Sequence, residues 1–174
     1  MNGLDNYKKK CKNTQGGLKR VYLIKYVKYP YLDIKSEAML LTEFPESTYF
    51  KFECSGNYSQ SSETQNGAQY FNQTVSVQLP KVYREINAHN FVKHDFRVIA
   101  ETNNGDLIMF GVRNGMECKI SNSSGAAKAD FNGFNLEFTG MEEKAGLLVL
   151  DLSILGSGNI SVDYGFNYNM NFTL

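Results

Sequence analysis

The residue types that most often carry chemistry are few and widely spaced in this chain of 174 residues. The two histidines, His89 and His94, are five positions apart, and that spacing does not bring two imidazoles together on one helix face to bind a metal. The three cysteines, Cys11, Cys54 and Cys118, form no Cys-x-x-Cys pair. Their odd number and wide spacing favour free thiols in a reducing compartment over a disulfide framework. These residues predict no metal centre.

Carboxylates and glycines form no catalytic pattern either. Glu142 and Glu143 are adjacent, and neighbours on a strand point to opposite faces, so the two cannot act together as acid and base. A solvated sheet edge is the better interpretation. Gly156-Ser157-Gly158 lacks a third glycine and a following helix, and it predicts a turn before the last strand. With no phosphate-binding loop, nucleophile elbow or His-Glu-x-x-His motif, an enzyme is the least favoured class and no cofactor is expected.

Composition predicts one folded domain, because 42% of the residues are hydrophobic and 21% are charged. Basic and acidic residues balance at 18 each, which argues against a dedicated nucleic-acid binder. The residues up to Lys35 carry nine basic and two acidic side chains, about +7, which leaves about −7 for the remainder. No apolar run reaches the ~18 residues of a membrane span, and the N-terminus lacks a signal-peptide core, so a cytosolic location of synthesis is expected.

Alternation of apolar and polar residues with a period of two is the dominant pattern. It predicts a C-terminal strand over residues 159–174, in which Ile160 and every second residue to Leu174 are apolar. A second run from Gln69 to Leu79 ends at Pro80, which cannot continue a hydrogen-bonded ladder. The segment that follows, Lys81 to about Lys93, is the one convincing helix.

Further strands are expected between turn signals rich in Asn and Gly. They are Arg20–Tyr26, Tyr49–Cys54, Phe96–Glu101, Leu107–Val112, Phe134–Thr139 and Leu147–Leu152. Residues 60–66 and 122–130 are interpreted as loops, residues 1–15 as a flexible basic arm, and residues 16–174 as the single domain. The predicted fold class is mainly β: an antiparallel sandwich or barrel with one flanking α-helix. Long strands with almost no proline and no active-site pattern indicate a binding module or a self-assembling subunit.

The segment Cys11 to Leu23, CKNTQGGLKRVYL, resembles the opening of tail tube proteins from tailed phages of Bacteroidota hosts. Three later pieces follow in matching order: Asn66-Gly67 before a long strand, Asn103 to Asp106 between two strands, and Phe131 to Glu142. The resemblance extends over about residues 11 to 150, and the segment after Leu152 lies outside it.

This resemblance implies a sandwich-like subunit, similar to the type VI secretion tube protein, that forms hexameric rings stacked into a tube for DNA ejection. It implies further copies of the chain, other tail proteins and phage DNA in transit as partners. It also implies the virion tail as the location, with assembly in the host bacterial cytoplasm. Six subunits of about four strands give ~24 strands, and ~4.8 Å spacing with ~35 to 40° tilt gives a diameter of roughly 45 Å. B-form DNA of about 20 Å width would pass.

Two surfaces are predicted to serve this assembly. A bore lined with lysine would bind phosphate, so polar strand faces with few basic residues are expected at the lumen or its rim. The lumen candidates are Asn72, Thr74, Ser76, Asn167 and Asn169. The lysine cluster is expected to contact the acidic body of a neighbouring subunit, and a solubilising tail is its alternative interpretation. The cluster consists of Lys8, Lys9, Lys10 and Lys12.

Other functions stay open from the sequence. A head-to-tail joining or tail terminator protein would share the fold and form one ring instead of many. A carbohydrate-binding β-sandwich is the alternative of a different class, and it would expose an aromatic platform on a monomer. The sequence does not decide between a contractile and a flexible tail.

Overall fold

A computed structural model describes residues 15–30, 34–80, 88–127 and 130–156. Within them the chain forms eleven strands, one α-helix and one short 3-10 turn. The strands are β1 (Leu18–Lys25), β2 (Lys35–Glu37), β3 (Leu40–Glu43), β4 (Tyr49–Glu53), β5 (Ser55–Gln65), β6 (Ala68–Pro80), β7 (Phe96–Thr102), β8 (Leu107–Phe110), β9 (Glu117–Ser124), β10 (Asn132–Glu142) and β11 (Leu147–Val149). Helix α1 is Ala88–Lys93 and the 3-10 turn is Leu152–Leu155.

The strands form two sheets, which confirms the predicted mainly-β sandwich with a flanking helix. The larger sheet has seven strands in the order β2-β3-β11-β8-β7-β1-β4, and the smaller has four in the order β5-β6-β10-β9. All pairings are antiparallel except that of β11 with β3. Neither sheet closes into a barrel over the described residues.

Two apolar clusters hold the fold together, one on each face of the seven-stranded sheet. The first fills the space between the sheets and includes Val21, Val98 and Phe110 from the larger sheet and Val77 and Phe138 from the smaller. The second covers the opposite face of the larger sheet, where the segments around β3 and after β11 pack against Ile24, Ile99 and Met109. Over the described residues the central strands of the larger sheet are therefore buried on both faces, whereas the smaller sheet is buried on one.

Two of the segments predicted as loops are strands. Residues 60–65 belong to β5, and Asn122 to Ser124 belong to β9. The reason is pairing: β6 needs an antiparallel partner on each side, and β5 supplies one through the tight turn at Asn66 and Gly67, whose φ angles are 52° and 81°. Hydrogen bonding to β6 and β10 therefore makes both segments strands, although their polar composition favours loops.

Other boundaries differ more modestly from the predictions. The strand expected over Leu147–Leu152 ends at Val149, because Asp151 caps the 3-10 turn by accepting a hydrogen bond from the Ser153 amide. The predicted helix is described only over Ala88–Lys93, and residues 81–87 lie outside the described residues. The predicted C-terminal strand and all of the basic arm except Gln15 lie outside as well.

Arg97 on β7 is a fully buried cation that ties two loops to the larger sheet. Its Nε donates to the Val112 carbonyl at 2.9 Å and its Nη2 donates to the Val27 carbonyl at 2.8 Å. The guanidinium also stacks on the rings of Tyr26 and Tyr29, at 4.6 and 4.9 Å from their centroids. Burial lowers the pKa of Arg97, and the neighbouring tyrosines act in the opposite direction.

Glu142, at the end of β10, is 3% exposed, so the interpretation as a solvated edge is wrong for this residue. Its Oε1 accepts hydrogen bonds from the amides of Arg113 and Asn114, both at 2.8 Å. The carboxylate therefore fixes the turn between β8 and β9. Burial raises the pKa of Glu142 above its ordinary value of 4.5, because desolvation outweighs these hydrogen bonds and the nearby arginines.

We expect Glu142→Gln to stabilise the protein at alkaline pH relative to the wild type. A carboxyl whose pKa is raised by folding contributes stability that is complete below its unfolded pKa and is lost as the pH rises through the folded pKa. Glutamine keeps an oxygen for both amides and does not ionise. In urea unfolding measured from pH 4 to 8, the free energy of unfolding of the wild type should decline as the pH rises, and that of Glu142→Gln should not show this decline.

Glu142→Leu is the matched control for this prediction. Leucine leaves two amides unsatisfied, at a cost of about 1 to 3 kcal/mol each, and should destabilise at every pH. If Glu142→Gln is less stable than the wild type at pH 8, the predicted direction of this pH effect is wrong.

Candidate assembly surface on the four-stranded sheet

The four-stranded sheet has one buried face and one polar face. On β6 the residues Val75, Val77 and Leu79 are at most 1% exposed and pack into the core between the sheets. Cross-strand register places Phe138 opposite Val75 and Leu136 opposite Val77, so β10 follows the same alternation. The remaining residues of each strand project from the other side of this sheet.

We call that other side the polar face. From the strand registers it carries Ser55, Asn57, Ser59, Ser61 and Glu63 of β5, Tyr70, Asn72, Thr74, Ser76 and Gln78 of β6, Asn135, Glu137, Thr139 and Met141 of β10, and Glu117, Lys119, Ser121 and Ser123 of β9. Its charges are three carboxylates, Glu63, Glu117 and Glu137, and one ammonium group, Lys119, a net charge of −2. Its middle forms a shallow open depression.

Three of the predicted lumen residues, Asn72, Thr74 and Ser76, lie on the polar face and are half-buried by their neighbours. Asn72 donates to Glu63 at 2.5 Å, and the Tyr70 hydroxyl donates to the same carboxylate at 2.8 Å. The hydrogen bond to Glu63 raises the pKa of Tyr70. Asn167 and Asn169 lie outside the described residues, as do Lys8, Lys9, Lys10 and Lys12.

The buried Gln73 fixes the four-stranded sheet to the larger one. Its Oε1 accepts from the Gly111 amide and its Nε2 donates to the Lys144 carbonyl, both at 3.0 Å. Gln60 of β5 accepts from the Gly146 amide at 3.0 Å. The alternation places Gln73 on the core side of β6, between Phe71 and Val75, but its polar side chain hides this position from a search for apolar residues.

The sheet ends at β5 on one side and at β9 on the other, and we call these two the terminal strands. Among the described residues each has one partner strand, β6 for β5 and β10 for β9. Neither contains proline, and no β-bulge interrupts their registers. Between them they carry three charged residues: Glu63 on β5, and Glu117 and Lys119 on β9. Proline, bulges and charges are the usual means of blocking an exposed edge, so these edges are suited to pairing with another strand.

The groups that could do chemistry are dispersed in the described part of the chain. It contains no cluster of three or more His, Cys, Asp or Glu side chains able to hold a metal ion. Cys54 and Cys118 are free thiols, and burial raises the pKa of each to about 12. Both therefore stay protonated near neutral pH and are poor nucleophiles.

The fold and this surface define a mainly-β sandwich with one open polar sheet. Comparison of the chain with protein-family models, curated proteins and solved structures gives no match. A search of the described residues for a helix long and apolar enough to cross a membrane also finds none.

Proposed function

We propose that this protein is a tail tube subunit of a tailed phage, whose copies join edge to edge into rings that stack around a passage for DNA. The observation that carries the proposal is the four-stranded sheet, whose terminal strands contain neither proline nor a β-bulge and whose polar face is acidic. The sequence resemblance to phage tail tube proteins, over about residues 11 to 150, supports the same function. Hexameric rings follow from that resemblance.

Joining one copy to the next uses β5 of one subunit and β9 of its neighbour. These strands lie at opposite edges, so the contact is head to tail and produces a ring when the rotation closes. Strand direction alternates across β5-β6-β10-β9, so a β9 placed beside the next subunit's β5 is antiparallel to it. The junction therefore continues the pattern within each subunit, and four strands from each of six subunits supply the ~24 strands of a bore wide enough for DNA.

The polar face suits the wall of such a passage. A net charge of −2 from one Lys and three Glu repels phosphate, and each ring multiplies this charge by the number of subunits. Serine, threonine and asparagine hydrate well and offer no fixed cation at which DNA would stop. Asn72, Thr74 and Ser76 would then line the bore.

Strand pairing by itself supplies limited affinity. Pairing all eight residues of β9 gives about eight hydrogen bonds, each contributing about 1 kcal/mol net. Association costs about 4 to 15 kcal/mol, so the ring needs further contacts between copies.

A cysteine scan tests the junction. Ser121 on β9 is replaced by cysteine together with Ser55, Asn57, Ser59 or Ser61 on β5, one at a time. Within one subunit these strands are three spacings apart, about 14 Å, which is too far for a disulfide, so a bond can form only between copies. We expect mild oxidation to give a ladder of covalent oligomers for one of these positions.

Ser62→Cys with Ser121→Cys is the matched control, because Ser62 is exposed but points to the opposite side of β5. It should give no ladder. The native Cys54 and Cys118 contribute little background because of their raised pKa values, and Cys11 is replaced by serine. Failure of all four pairs to crosslink at concentrations where the protein assembles would contradict the β5–β9 junction.

The tail terminator alternative predicts single rings in place of stacks, and microscopy distinguishes the two. The carbohydrate-binding alternative gains no support from the polar face, where the described residues include one aromatic side chain, Tyr70.

A further inference from the structure

Beyond the free edge of β5, the seven-stranded sheet continues as a row of three apolar side chains. Leu148 of β11 lies in register with Ile108 of β8 on one side and with Leu40 of β3 on the other, so the three side chains share one face. Ile108 packs against the first apolar cluster, which places this row on the face between the two sheets. We call the row the shelf.

The anchors of the smaller sheet show why the shelf is left uncovered. Gln73 of β6 donates to the Lys144 carbonyl, and Gln60 of β5 accepts from the Gly146 amide, both at 3.0 Å. Leu148 lies two residues beyond Gly146, about 6.7 Å further along an extended chain, whereas neighbouring strands are about 4.8 Å apart. The shelf is therefore where a fifth strand of the smaller sheet, next to β5, would lie.

Strand β8 has the same arrangement. The Tyr58 ring of β5 packs against Phe110, with ring centroids 5.2 Å apart. Ile108 precedes Phe110 by two residues and faces the same side of β8. On the adjacent strands β8 and β11, the row under β5 is thus followed by a row over which no described strand of the smaller sheet lies.

Exposed apolar side chains are concentrated at this edge. Seven large hydrophobic residues of the described chain are exposed, and four of them lie on the shelf or beside it: Met39, Tyr58, Leu148 and Leu150. Leu148 itself is 42% exposed, and its amide donates to the Met39 carbonyl at 2.7 Å. Single exposed hydrophobic residues are ordinary, but a contiguous apolar patch marks an interaction site.

The pairing of β5 with the β9 of a neighbouring copy allows few registers. If all eight residues of β9 pair within the eleven residues of β5 in antiparallel orientation, Glu117 lies opposite one of residues 62–65. Core-facing residues must also oppose each other, and Ile120 of β9 and Gln60 of β5 are both on the core side of their strands. Two registers satisfy both conditions, and they place Ile120 opposite Gln60 or opposite Ser62.

We propose that the β9 of a neighbouring copy lies over the shelf as this fifth strand, with its Ile120 covering Leu148. The inference rests on the proposed function, because the β5–β9 junction brings β9 to this edge. It adds a second layer to the junction: the larger sheet of one copy supports the smaller sheet of the next. Both registers place Ile120 beside Gln60 or one step beyond it, and Gln60 is bonded two residues before Leu148.

The side of β9 that would meet the shelf has the required chemistry. Ile120 is half-buried within its own copy, at the margin of the first apolar cluster, so part of its side chain is free for a contact. Its charged neighbours Glu117 and Lys119 lie on the polar face and stay away from the shelf. Water excluded between Ile120 and Leu148 supplies the further affinity that strand pairing requires.

Photo-crosslinking tests this placement. Leu148 is replaced by p-benzoylphenylalanine, copies labelled with ¹⁴N and ¹⁵N are mixed and assembled, and crosslinked peptides are identified by mass spectrometry. We expect links from position 148 to peptides containing Ile120, with mixed isotope labels. The same probe at Met141 is the matched control, because Met141 is 53% exposed but lies on the polar face, and it should not link to Ile120 of another copy.

Other results overturn the inference. Links from position 148 that always join peptides of one isotope, links to residues 157–174 or to any other segment, and no links at all each remove β9 from the shelf. Rings seen by microscopy without mixed-isotope links to Ile120 refute the shelf contact and leave the proposed function standing. Mixed-isotope links to Ile120 without rings keep the contact and refute the tube function.

The cysteine scan of the junction tests the register independently. The two allowed registers place Ser121 opposite Ser59 or Ser61, so we expect the ladder of oligomers from one of these two pairs. A ladder from Ser55 or Asn57 instead would keep the β5–β9 junction but move Ile120 away from Leu148, which contradicts the shelf contact.

A charge substitution provides a further readout. Leu148→Lys places an ammonium group where the neighbour's Ile120 would exclude water, and it should reduce the assembled fraction about tenfold or more. Val92→Lys on α1, where the side chain is 62% exposed, is the matched control and should change assembly less than about twofold. Equal effects of the two variants would count against the shelf as the contact.

Discussion

Replacing Arg97 by methionine is expected to lower the free energy of unfolding by about 2 to 4 kcal/mol. The substitution removes the donors that satisfy the Val112 and Val27 carbonyls, and it removes the cation that Tyr26 and Tyr29 enclose. Val112 is buried, so its carbonyl has no access to bulk water once the guanidinium is gone. Methionine recovers part of the loss because it is not charged and fills much of the same volume. Urea unfolding at fixed pH measures the difference.

Lys119→Met is the control for Arg97→Met, since it removes a cation from the exposed polar face. It should change the free energy of unfolding by less than about 0.5 kcal/mol. If Arg97→Met costs less than 1 kcal/mol, the buried guanidinium is not what holds the two loops to the sheet.

If the polar face lines the proposed passage, replacing Ser76 by lysine is expected to make that passage retain DNA. Each hexameric ring would gain six ammonium groups facing phosphate, and stacked rings would repeat them. With about six phosphate contacts, the affinity for DNA should fall about 10³-fold between 50 and 200 mM salt. Binding of a labelled linear duplex to assembled protein, measured across this salt range, provides the test. The wild type should show no such salt-dependent binding.

Ser153→Lys adds the same charge at an exposed position of the 3-10 turn, away from the polar face. It should leave DNA retention at the wild-type level. Equal retention by both lysine variants would show that net charge, and not the polar face, determines contact with DNA.

Much of the fold could be predicted from periodicity. The run Gln69–Leu79 alternates clearly, and the structure places it in β6 with Val75, Val77 and Leu79 in the core. Strands such as Tyr49–Glu53 and Phe96–Thr102 were expected within a residue or two because burial demands apolar side chains at their positions. The mainly-β class follows from this repeated pattern.

The terminal strands were missed for a physical reason. β5 is composed of Ser, Gln, Asn, Thr, Glu and one Gly around a single tyrosine, because most of its side chains face water and, among the described residues, its backbone pairs with one neighbour. The Asn66-Gly67 turn was the available signal, since a tight turn before a long strand requires an equally long partner on its other side. The burial of Glu142 could not be predicted, because the amides that it binds come from a turn 28 residues away.

Electron microscopy of the purified protein at micromolar concentration is the decisive experiment for the proposed tube. We expect rings with a central hole of at least about 20 Å, many of them stacked into tubes, and class averages with six subunits. A protein that remains a 19.7 kDa monomer at every concentration tested would contradict the proposed assembly.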